Sequence, residues 1–368
     1  MLFVCVSHFG GAYFDRLPAH TVEGRFLESV ALIASPTFVV ISGLLLGFLA
    51  CSRPWDWLDL RVKLVDRGLF MLTLGHIAIA FAHVPMAGRL PLALEWGFIT
   101  DVIAVGLLIG PFLVQRVSPG RRLVIAGVAY GLAWIVVASS HPESAALERL
   151  KEYLVGPSHF LGGRPRLLVE CFPLIPWLAV YVAATGLGEA LGRREASGRG
   201  TETIPLLGRV AVGCGLGALA IKGTPLMLKA AGLHETSVLV WTLGWPFQKQ
   251  PPSPAYLGVH AGLGLLLLRG LMAIDALASW RRWLIVPAAV GRSSLAVFIL
   301  QYFLYFTVLE RWNPDYSAWW PLLLLASLAL VVGFGLVWAR FGNNKVFSVG
   351  YRWLARPRAG AASFRKAA

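Results

Sequence analysis

The sequence predicts an all-α fold, a polytopic integral membrane helix bundle with about nine to ten transmembrane helices. The chain of 368 residues is 57% hydrophobic, and its mean hydropathy is +0.67. Its apolar runs approach the roughly 20 residues that a helix needs to cross the bilayer, and they are too long for barrel strands of about 9–11 residues. A backbone in lipid must also satisfy its own hydrogen bonds. We therefore predict a single integral membrane domain over residues 1–368.

The first apolar run, from Met1 to Phe14, is too short to span a bilayer. It also lacks the basic n-region and the small-residue cleavage site of a signal peptide. We expect the first helix to begin upstream, so that Met1 is an internal or misassigned start and this helix is truncated. The alternative is a short or re-entrant membrane segment.

Nine longer apolar runs follow, and Lys and Arg cluster in every second connection between them. By the positive-inside rule these connections face the cytoplasm, and so does the C-terminus. The basic connections are 53–67, 116–122, 193–209, 281–282 and the tail from Arg340. The predicted spans are 29–51, 68–86, 96–115, 123–139, 167–190, 210–230, 254–273, 284–308 and 319–339.

The net charge of +14 is explained by this topology and by attraction to anionic membrane lipid. The basic residues do not form one patch with interleaved aromatic residues, which argues against a nucleic-acid partner. The cysteines have neither the spacing of a disulfide framework nor that of a zinc site. We interpret them as small core residues.

Ionisable side chains interrupt the apolar runs, each at a cost of roughly 2.5–3.5 kcal/mol on insertion scales, and such residues are functional-site hypotheses by default. Together they indicate a polar chamber within the bundle rather than a passive anchor. They are His8, His76, His83, Asp101, Glu170, Lys222, His260, Arg269 and Arg292.

His8 and His20 are the two candidates for a catalytic base, because histidine titrates near neutral pH and is the commonest general base. His8 lies in the outer half of the first helix, and the glycine pair after it allows close approach. The alternative for His8 is a hydrogen-bonded core histidine, and for His20 it is an ordinary loop histidine. His76 and His83 share a helix face, but no Asp, Glu or Cys stands at ligand spacing beside them, so we predict no metal site.

Asp66, Arg67 and Arg292 are the candidate contacts for a donor cofactor. Asp66 and Arg67 close a basic connection before an apolar run. Arg67 is either an interfacial anchor with a snorkelling side chain or a contact for a cofactor phosphate, which suits its bidentate fork. Arg292 interrupts an apolar span, as Asp101 does, and the two can pair with each other or with other bundle residues.

Asp101, Lys249 and Ser253 are the candidate contacts for an acceptor substrate. Lys249 and Ser253 lie in the external segment 245–256, which its prolines stiffen over the mouth of a cavity. Lys249 can hold an anionic or carbonyl group there. The alternative is an ordinary charged residue of an interfacial loop.

Five segments are similar, in order, to those of one family. They are Ser-Pro-Thr-Phe-Val-Val-Ile-Ser-Gly at 35–43, Ile-Thr-Asp-Val-Ile-Ala-Val-Gly at 99–106, Pro-Leu-Ile-Pro-Trp-Leu at 173–178, Gln-Lys-Gln-Pro-Pro-Ser at 248–253 and Gly-Arg-Ser-Ser-Leu-Ala-Val-Phe-Ile-Leu-Gln-Tyr at 291–302. They resemble heparan-α-glucosaminide N-acetyltransferase and its bacterial relatives, within the wider acyltransferase-3 type superfamily. The Asp-x-x-Arg-Gly opening of the first helix is absent, Lys-Gln replaces Lys-Tyr at 249–250, and Gln301 stands where many members have a histidine.

The resemblance implies an acyltransferase of the bacterial inner membrane. It would move an acyl group, usually acetyl, from cytoplasmic acetyl-CoA or another acyl-CoA to a hydroxyl or amine acceptor outside, a glycan or a small molecule. The acyl-CoA is a co-substrate, and no bound cofactor is implied. His8 is similar to the first-helix histidine of acyltransferase-3 members, and His20 lies near the place of the loop histidine of the heparan enzyme.

Two other functional classes fit some of the same observations. A transporter or flippase of a small polar or lipid-linked substrate would also keep midplane charges. It would more often show inverted repeats and broken, paired helices, which the sequence does not indicate. A membrane scaffold explains the spans but not the ionisable residues inside them.

Overall fold

The computed structural model describes residues 1–14, 22–140, 142–157, 171–232, 249–277, 279–312, 318–341, 347 and 350–353. Within these ranges the chain is helical with only isolated β-bridges, and nine helical segments are long and apolar enough to cross a membrane. The prediction of an all-α polytopic helix bundle is therefore confirmed. The nine segments are Val22–Ser52, Pro54–Ala87, Ile99–Arg116, Pro119–Ser139, Leu174–Ala196, Gly200–Ala230, Pro254–Asp275, Ser294–Trp312 and Trp320–Phe341.

Two of the first ten helices begin or end at residues with a clear start or stop signal. Pro119 begins one helix at a position where a missing N–H costs nothing, and Gly88 ends another with a φ of 76°. The helices are α1 (Leu2–Phe14), α2 (Val22–Ala31), α3 (Ala34–Ser52), α4 (Trp57–Phe70), α5 (His76–Ala87), α6 (Leu90–Leu94), α7 (Ile99–Arg116), α8 (Pro119–Ser139), α9 (Ala145–Leu154) and α10 (Leu174–Ala196).

Six further helices complete the described part of the bundle. Short 3₁₀ turns, Gly200–Glu202 and Arg281–Leu284, lead into two of them, and a third, Gly350–Trp353, follows the last. The helices are α11 (Thr203–Ala230), α12 (Pro254–Asp275), α13 (Ile285–Arg292), α14 (Ser294–Tyr302), α15 (Glu310–Trp312) and α16 (Trp320–Phe341).

Among the described helices, α3 packs most extensively against α10. A Cβ added at Gly47 of α3 would collide with the backbone carbonyl of Thr185, and one added at Gly188 of α10 would collide with the carbonyl of Leu44. Only hydrogen fits at these points, so the two backbones touch directly. This is the packing that small residues allow between membrane helices.

Two helical rods are interrupted by π-helical segments. Met71–Gly75 joins α4 to α5, and Phe303–Leu309 joins α14 to α15. The second segment packs against α5, so the two interruptions lie on neighbouring rods. Such π turns inside helices are frequent at functional sites. Here the first is followed at once by His76, and the second follows Tyr302 directly.

The alternating helices give the bundle two ends. The basic end carries the connections 53–56, 117–118, 197–202 and 276–284. The loop end is covered by the segments 95–98, 171–173 and 249–253. The segments 95–98 and 171–173 are tied together, since the Phe172 N–H donates to the Gly97 carbonyl (2.9 Å), and the segment 249–253 is tied to α8, since the Tyr130 hydroxyl donates to the Pro252 carbonyl (2.6 Å).

The structure corrects the bounds of several predicted spans. The predicted span 29–51 is divided between α2 and α3, and 68–86 is the second part of a rod that begins at Trp57. The predicted span 284–308 is divided into α13, α14 and a π-helical segment. Residues 167–170 of the span 167–190 lie outside the described residues, and α10 begins only at Leu174.

Candidate active site

His8 is held by a hydrogen bond and by aromatic rings. It lies on α1, which packs against α2, α14 and the second π-helical segment. Its Nδ1 lies 3.1 Å from Oε1 of Gln301 on α14. Its ring centroid lies 4.5 Å from that of Tyr302 and 5.2 Å from that of Phe306. The imidazole therefore has a defined position between α1 and the broken α14–α15 rod.

His83 contacts the same two aromatic rings from α5. Its ring centroid lies 4.9 Å from that of Tyr302 and 4.5 Å from that of Phe306. Its Nδ1 lies 2.9 Å from the Ile79 carbonyl one turn earlier, which fixes the ring. Two histidines from different helices thus share one buried aromatic cluster.

A hydrogen-bonded pair formed by His76 and Asp101 lies beside this cluster. His76 Nδ1 is 3.0 Å from Asp101 Oδ1, and the other carboxylate oxygen accepts the Phe98 N–H (2.8 Å) at the start of α7. His76 Nε2 lies 3.2 Å from the Leu94 carbonyl. The Phe98 ring lies 5.2 Å from His76 on one side and 5.2 Å from His83 on the other. Both nitrogens of His76 are engaged, so this pair orients Phe98 rather than offering a base.

Lys249 adds a positive charge to the site. Its ammonium lies 5.3 Å from the centroid of the Phe172 ring, a geometry in which an aromatic face stabilises a cation. The loop end therefore holds a cation that can stabilise negative charge on a group bound there.

The remaining residues of the loop end build its frame. Ser253 Oγ accepts the Tyr256 N–H (3.2 Å) and so caps α12, and the Tyr256 hydroxyl donates to the Leu32 carbonyl (2.9 Å). The Tyr153 ring packs against Gly97. Burial raises the pKa of Tyr153 to about 12, so its phenol stays protonated at neutral pH. The observed contact of Ser253 is thus a helix cap.

The candidate donor residues lie at the basic end. Asp66 Oδ2 accepts the Arg352 N–H (3.3 Å), so the 3₁₀ turn Gly350–Trp353 rests on this carboxylate. Arg67 is half-buried beside it on α4. Ten residues of helix correspond to about 15 Å, which separates Asp66 from His76 along the rod. The structure thus does not bring Asp66 and Arg67 together with His8.

Other predicted residues lie apart from the histidine cluster. Asp101 bonds to His76, whereas Arg292 is exposed at the end of α13. His260 bonds to the Tyr256 carbonyl within α12 (2.9 Å). Lys222 and Arg269 lie on α11 and α12, where Arg269 is exposed. His20 and Glu170 lie outside the described residues. Among the described side chains, no three His, Cys, Asp or Glu residues form a group that could hold a metal.

Sequence reasoning did not single out a buried ion pair at the basic end. Arg122 of α8 is fully buried and donates to Thr185 Oγ1 (2.7 Å) and to the Glu189 carboxylate. Glu189 also accepts from Arg193 one turn later. In the sequence, Glu189 could have indicated this ion pair, because it is an acidic residue within the apolar run that forms α10.

The fold and the site together define a class of protein, an integral membrane helix bundle with a histidine-centred polar cluster between its helices. A scan against protein-family models finds no match to this chain, and searches of curated proteins and of solved structures find none either. The assignment of a function therefore rests on the residues of the site.

Proposed function

We propose that this protein is a membrane acyltransferase, similar to heparan-α-glucosaminide N-acetyltransferase. It would transfer an acyl group, usually acetyl, from acyl-CoA at the basic end to a hydroxyl or amine acceptor at the loop end. The observation that carries the proposal is the position of His8. This histidine is half-buried among aromatic rings, and its Nδ1 lies 3.1 Å from Gln301 Oε1.

Acyl transfer needs a general base close to a positive charge that stabilises the oxyanion. As the acceptor oxygen or nitrogen attacks the thioester carbonyl, its proton passes to the imidazole of His8. The C–S bond then breaks, and the CoA thiolate takes up a proton. In the two-step form, the imidazole itself takes the acyl group, releases CoA and then passes the acyl group to the acceptor. In either form, the Lys249 ammonium would stabilise the negative charge on the carbonyl oxygen.

The donor side of the proposal rests on Arg67, which is half-buried at the basic end. A guanidinium can bind a CoA phosphate through two parallel hydrogen bonds. The separation of about 15 Å along the rod between Asp66 and His76 requires a long donor. A pantetheine arm is such a group, since it carries its thioester far from its phosphates.

One observation favours a transporter or flippase as the second candidate. Both rods that carry the site are interrupted by π-helical segments, and transporters often form their binding sites with discontinuous helices. A transporter would move its substrate unchanged. Covalent acyl transfer would therefore separate the two classes.

The experiment compares His8→Ala and His20→Ala in membrane vesicles at matched protein levels. Acetyl-CoA with a radiolabelled acetyl group is supplied with glucosamine as the acceptor probe, and both labelled product and released CoA thiol are measured. Loss of a general base typically lowers a rate roughly 10²–10⁴-fold, so we expect this loss for His8→Ala. His260→Ala, a buried histidine outside the cluster, is the control and should retain activity.

The outcomes assign the role. Near-wild-type turnover of His8→Ala together with an inactive His20→Ala variant would give the role to the loop histidine. If both variants stay active, the histidine mechanism is wrong for this chain. Accumulation of unmodified substrate inside vesicles, with no labelled product, would instead favour the transporter.

A further inference from the structure

We propose that Gln301 is a positioning residue for His8. It holds the imidazole in the tautomer that carries its proton on Nδ1, so that Nε2 presents its lone pair to the reacting groups. The catalytic meaning of this arrangement rests on the proposed function. The tautomer itself does not, because it is a property of the resting protein.

The direction of the hydrogen bond follows from the atoms that form it. Gln301 turns its Oε1 toward His8 Nδ1 at 3.1 Å. A carbonyl oxygen only accepts, so Nδ1 must donate and must carry the proton. In a neutral imidazole the other nitrogen, Nε2, then has no proton and can accept one. This is the nitrogen that a base or an acyl carrier needs.

The surroundings keep both side chains in this arrangement. Gln301 is fully buried on α14, immediately before Tyr302 and the second π-helical segment. The ring of His8 is flanked by Tyr302, Phe306 and, at 6.2 Å, Phe298. The Phe298 and Phe306 rings offer no hydrogen-bond acceptor, and the partner found at His8 Nδ1 is the amide oxygen of Gln301. A bond made by Gln301 therefore decides which nitrogen is protonated.

An unpartnered donor on the same amide points to function. Gln301 Nε2 is buried and has no hydrogen-bond partner among the described residues. Leaving a buried donor without a partner is costly, and such a group in a native structure calls for a specific explanation. An apolar side chain at this position would bury no unpartnered donor. Gln301 has an unpartnered Nε2 because its oxygen is needed as the acceptor for His8.

The choice of an amide also differs from the neighbouring histidine pair. His76 is bonded to the carboxylate of Asp101, a charged acceptor. His8 is bonded to a neutral amide. An amide orients the ring without adding a negative charge, which keeps a lone pair on Nε2. The two histidines thus differ in the kind of group that orients them, a carboxylate for His76 and a neutral amide for His8.

The test reads the tautomer directly. The protein is produced with isotopically labelled histidine, and nitrogen NMR spectra are recorded for the substrate-free protein in detergent. Comparison with the spectra of the His8→Gln variant identifies the His8 signals among those of the eight histidines. We expect the proton of His8 on Nδ1 in the wild type. Gln301→Met, which removes both polar atoms but keeps the length, should shift the ring toward the Nε2–H tautomer, the form favoured by free imidazole side chains.

Two further variants test whether the effect is specific. Gln301→Glu keeps an acceptor oxygen and should keep the proton on Nδ1. Ser293→Ala removes a buried hydrogen bond to the Gly335 carbonyl at the start of the same helix and should leave the tautomer of His8 unchanged. In the transfer assay, Gln301→Met should lower kcat roughly 10–100-fold, the loss found when the outer partner of a metal-bound histidine is removed, with little change in KM.

The wild-type spectrum decides the matter even if a variant fails to fold. A proton on Nε2 of His8 in the wild type would overturn the proposal, as would an unchanged tautomer in a folded Gln301→Met variant. Absence of acyl transfer with the expected tautomer in place would count against the proposed function alone.

Discussion

Three polar pairs in the described part of the protein each join two different helices. His8 of α1 bonds to Gln301 of α14, His76 of α5 to Asp101 of α7, and Arg122 of α8 to Glu189 of α10. Each pair satisfies groups that would be costly to bury alone. Because the partners come from different helices, each bond also fixes how two helices are placed relative to one another.

Arg122→Ala and Arg121→Ala are matched variants that test how much the buried ion pair between Arg122 and Glu189 stabilises the protein. Removing one partner of a buried ion pair typically costs about 3–5 kcal/mol. Because Glu189 keeps Arg193 as a partner, we expect a loss near the lower figure for Arg122→Ala. The neighbouring Arg121 is exposed, and Arg121→Ala should change stability by no more than about 0.5 kcal/mol. Thermal unfolding in detergent measures both.

Equal midpoints for the Arg122→Ala and Arg121→Ala variants would show that the buried pair contributes no net stability. Glu189→Gln gives an independent check, since it removes the charge but keeps the size of the side chain. It leaves the fully buried Arg122 without its counter-charge, so it should destabilise the protein at least as much as Arg122→Ala.

The sequence identifies part of the candidate site and misses another part for a physical reason. His8, His83 and Asp101 stand out because ionisable groups are rare in apolar runs. Gln301 is uncharged, and at sequence level it stands out only as a departure from the resembling family. Arg122 lies in a cluster of basic residues that topology alone explains. Which partner each group finds depends on helix packing, and a single sequence does not encode that in any local pattern.

At the scale of elements, the interior of the bundle is set by backbone contact between α3 and α10. Gly47 and Gly188 let each helix touch carbonyl groups of the other. Membrane helices gain little from burying apolar surface against each other, because lipid is equally apolar, so close packing has to supply the attraction. The contact therefore depends on glycine more than on any large side chain.

Gly47→Ala should destabilise the protein by about 1–3 kcal/mol, the usual cost of overpacking a well-packed interior. The added methyl group meets the Thr185 carbonyl, which belongs to a helix and cannot move alone. Gly127→Ala on α8 is the control, since nothing lies within 4 Å of its added Cβ. That variant should be neutral or slightly more stable, because alanine favours helix.

The apparent midpoint of thermal unfolding in detergent compares the two glycine variants under the same conditions. A Gly47→Ala variant as stable as Gly127→Ala would mean that α3 and α10 can separate without loss.

The bounds of the helices were harder to predict than their existence. Hydropathy identified a run at 68–86 but not the preceding turns of α4, where Asp59, Arg61 and Lys63 lower the average. Those residues are exposed or half-buried on the basic end, so they tolerate helix without being apolar. The π-helical segments were not predicted either, because an apolar run that contains one has the same composition as a regular helix.

At the scale of the whole molecule, charge distinguishes the two ends of the bundle. The positive-inside rule predicts that the basic end, and with it the C-terminus, faces the cytoplasm. A reporter that is active only in the cytoplasm should work when fused after Ala368. The same reporter fused within the predicted external connection 231–253 should be inactive.

The paired fusion sites serve as controls for each other. Activity of an exclusively extracytoplasmic reporter after Ala368 would reverse the orientation, and the acceptor would then have to approach from the cytoplasm.

The π-helical segment Met71–Gly75 acts as a phase shift within one long rod. Each residue of an α-helix advances the side-chain direction by about 100° and the axis by about 1.5 Å. One residue fewer in this segment would rotate His76 and His83 by that angle relative to the face that α4 presents at the basic end. The azimuth of the two histidines relative to α4 thus depends on this segment. A helical wheel with a uniform step of about 100° through the whole rod would misplace them relative to α4.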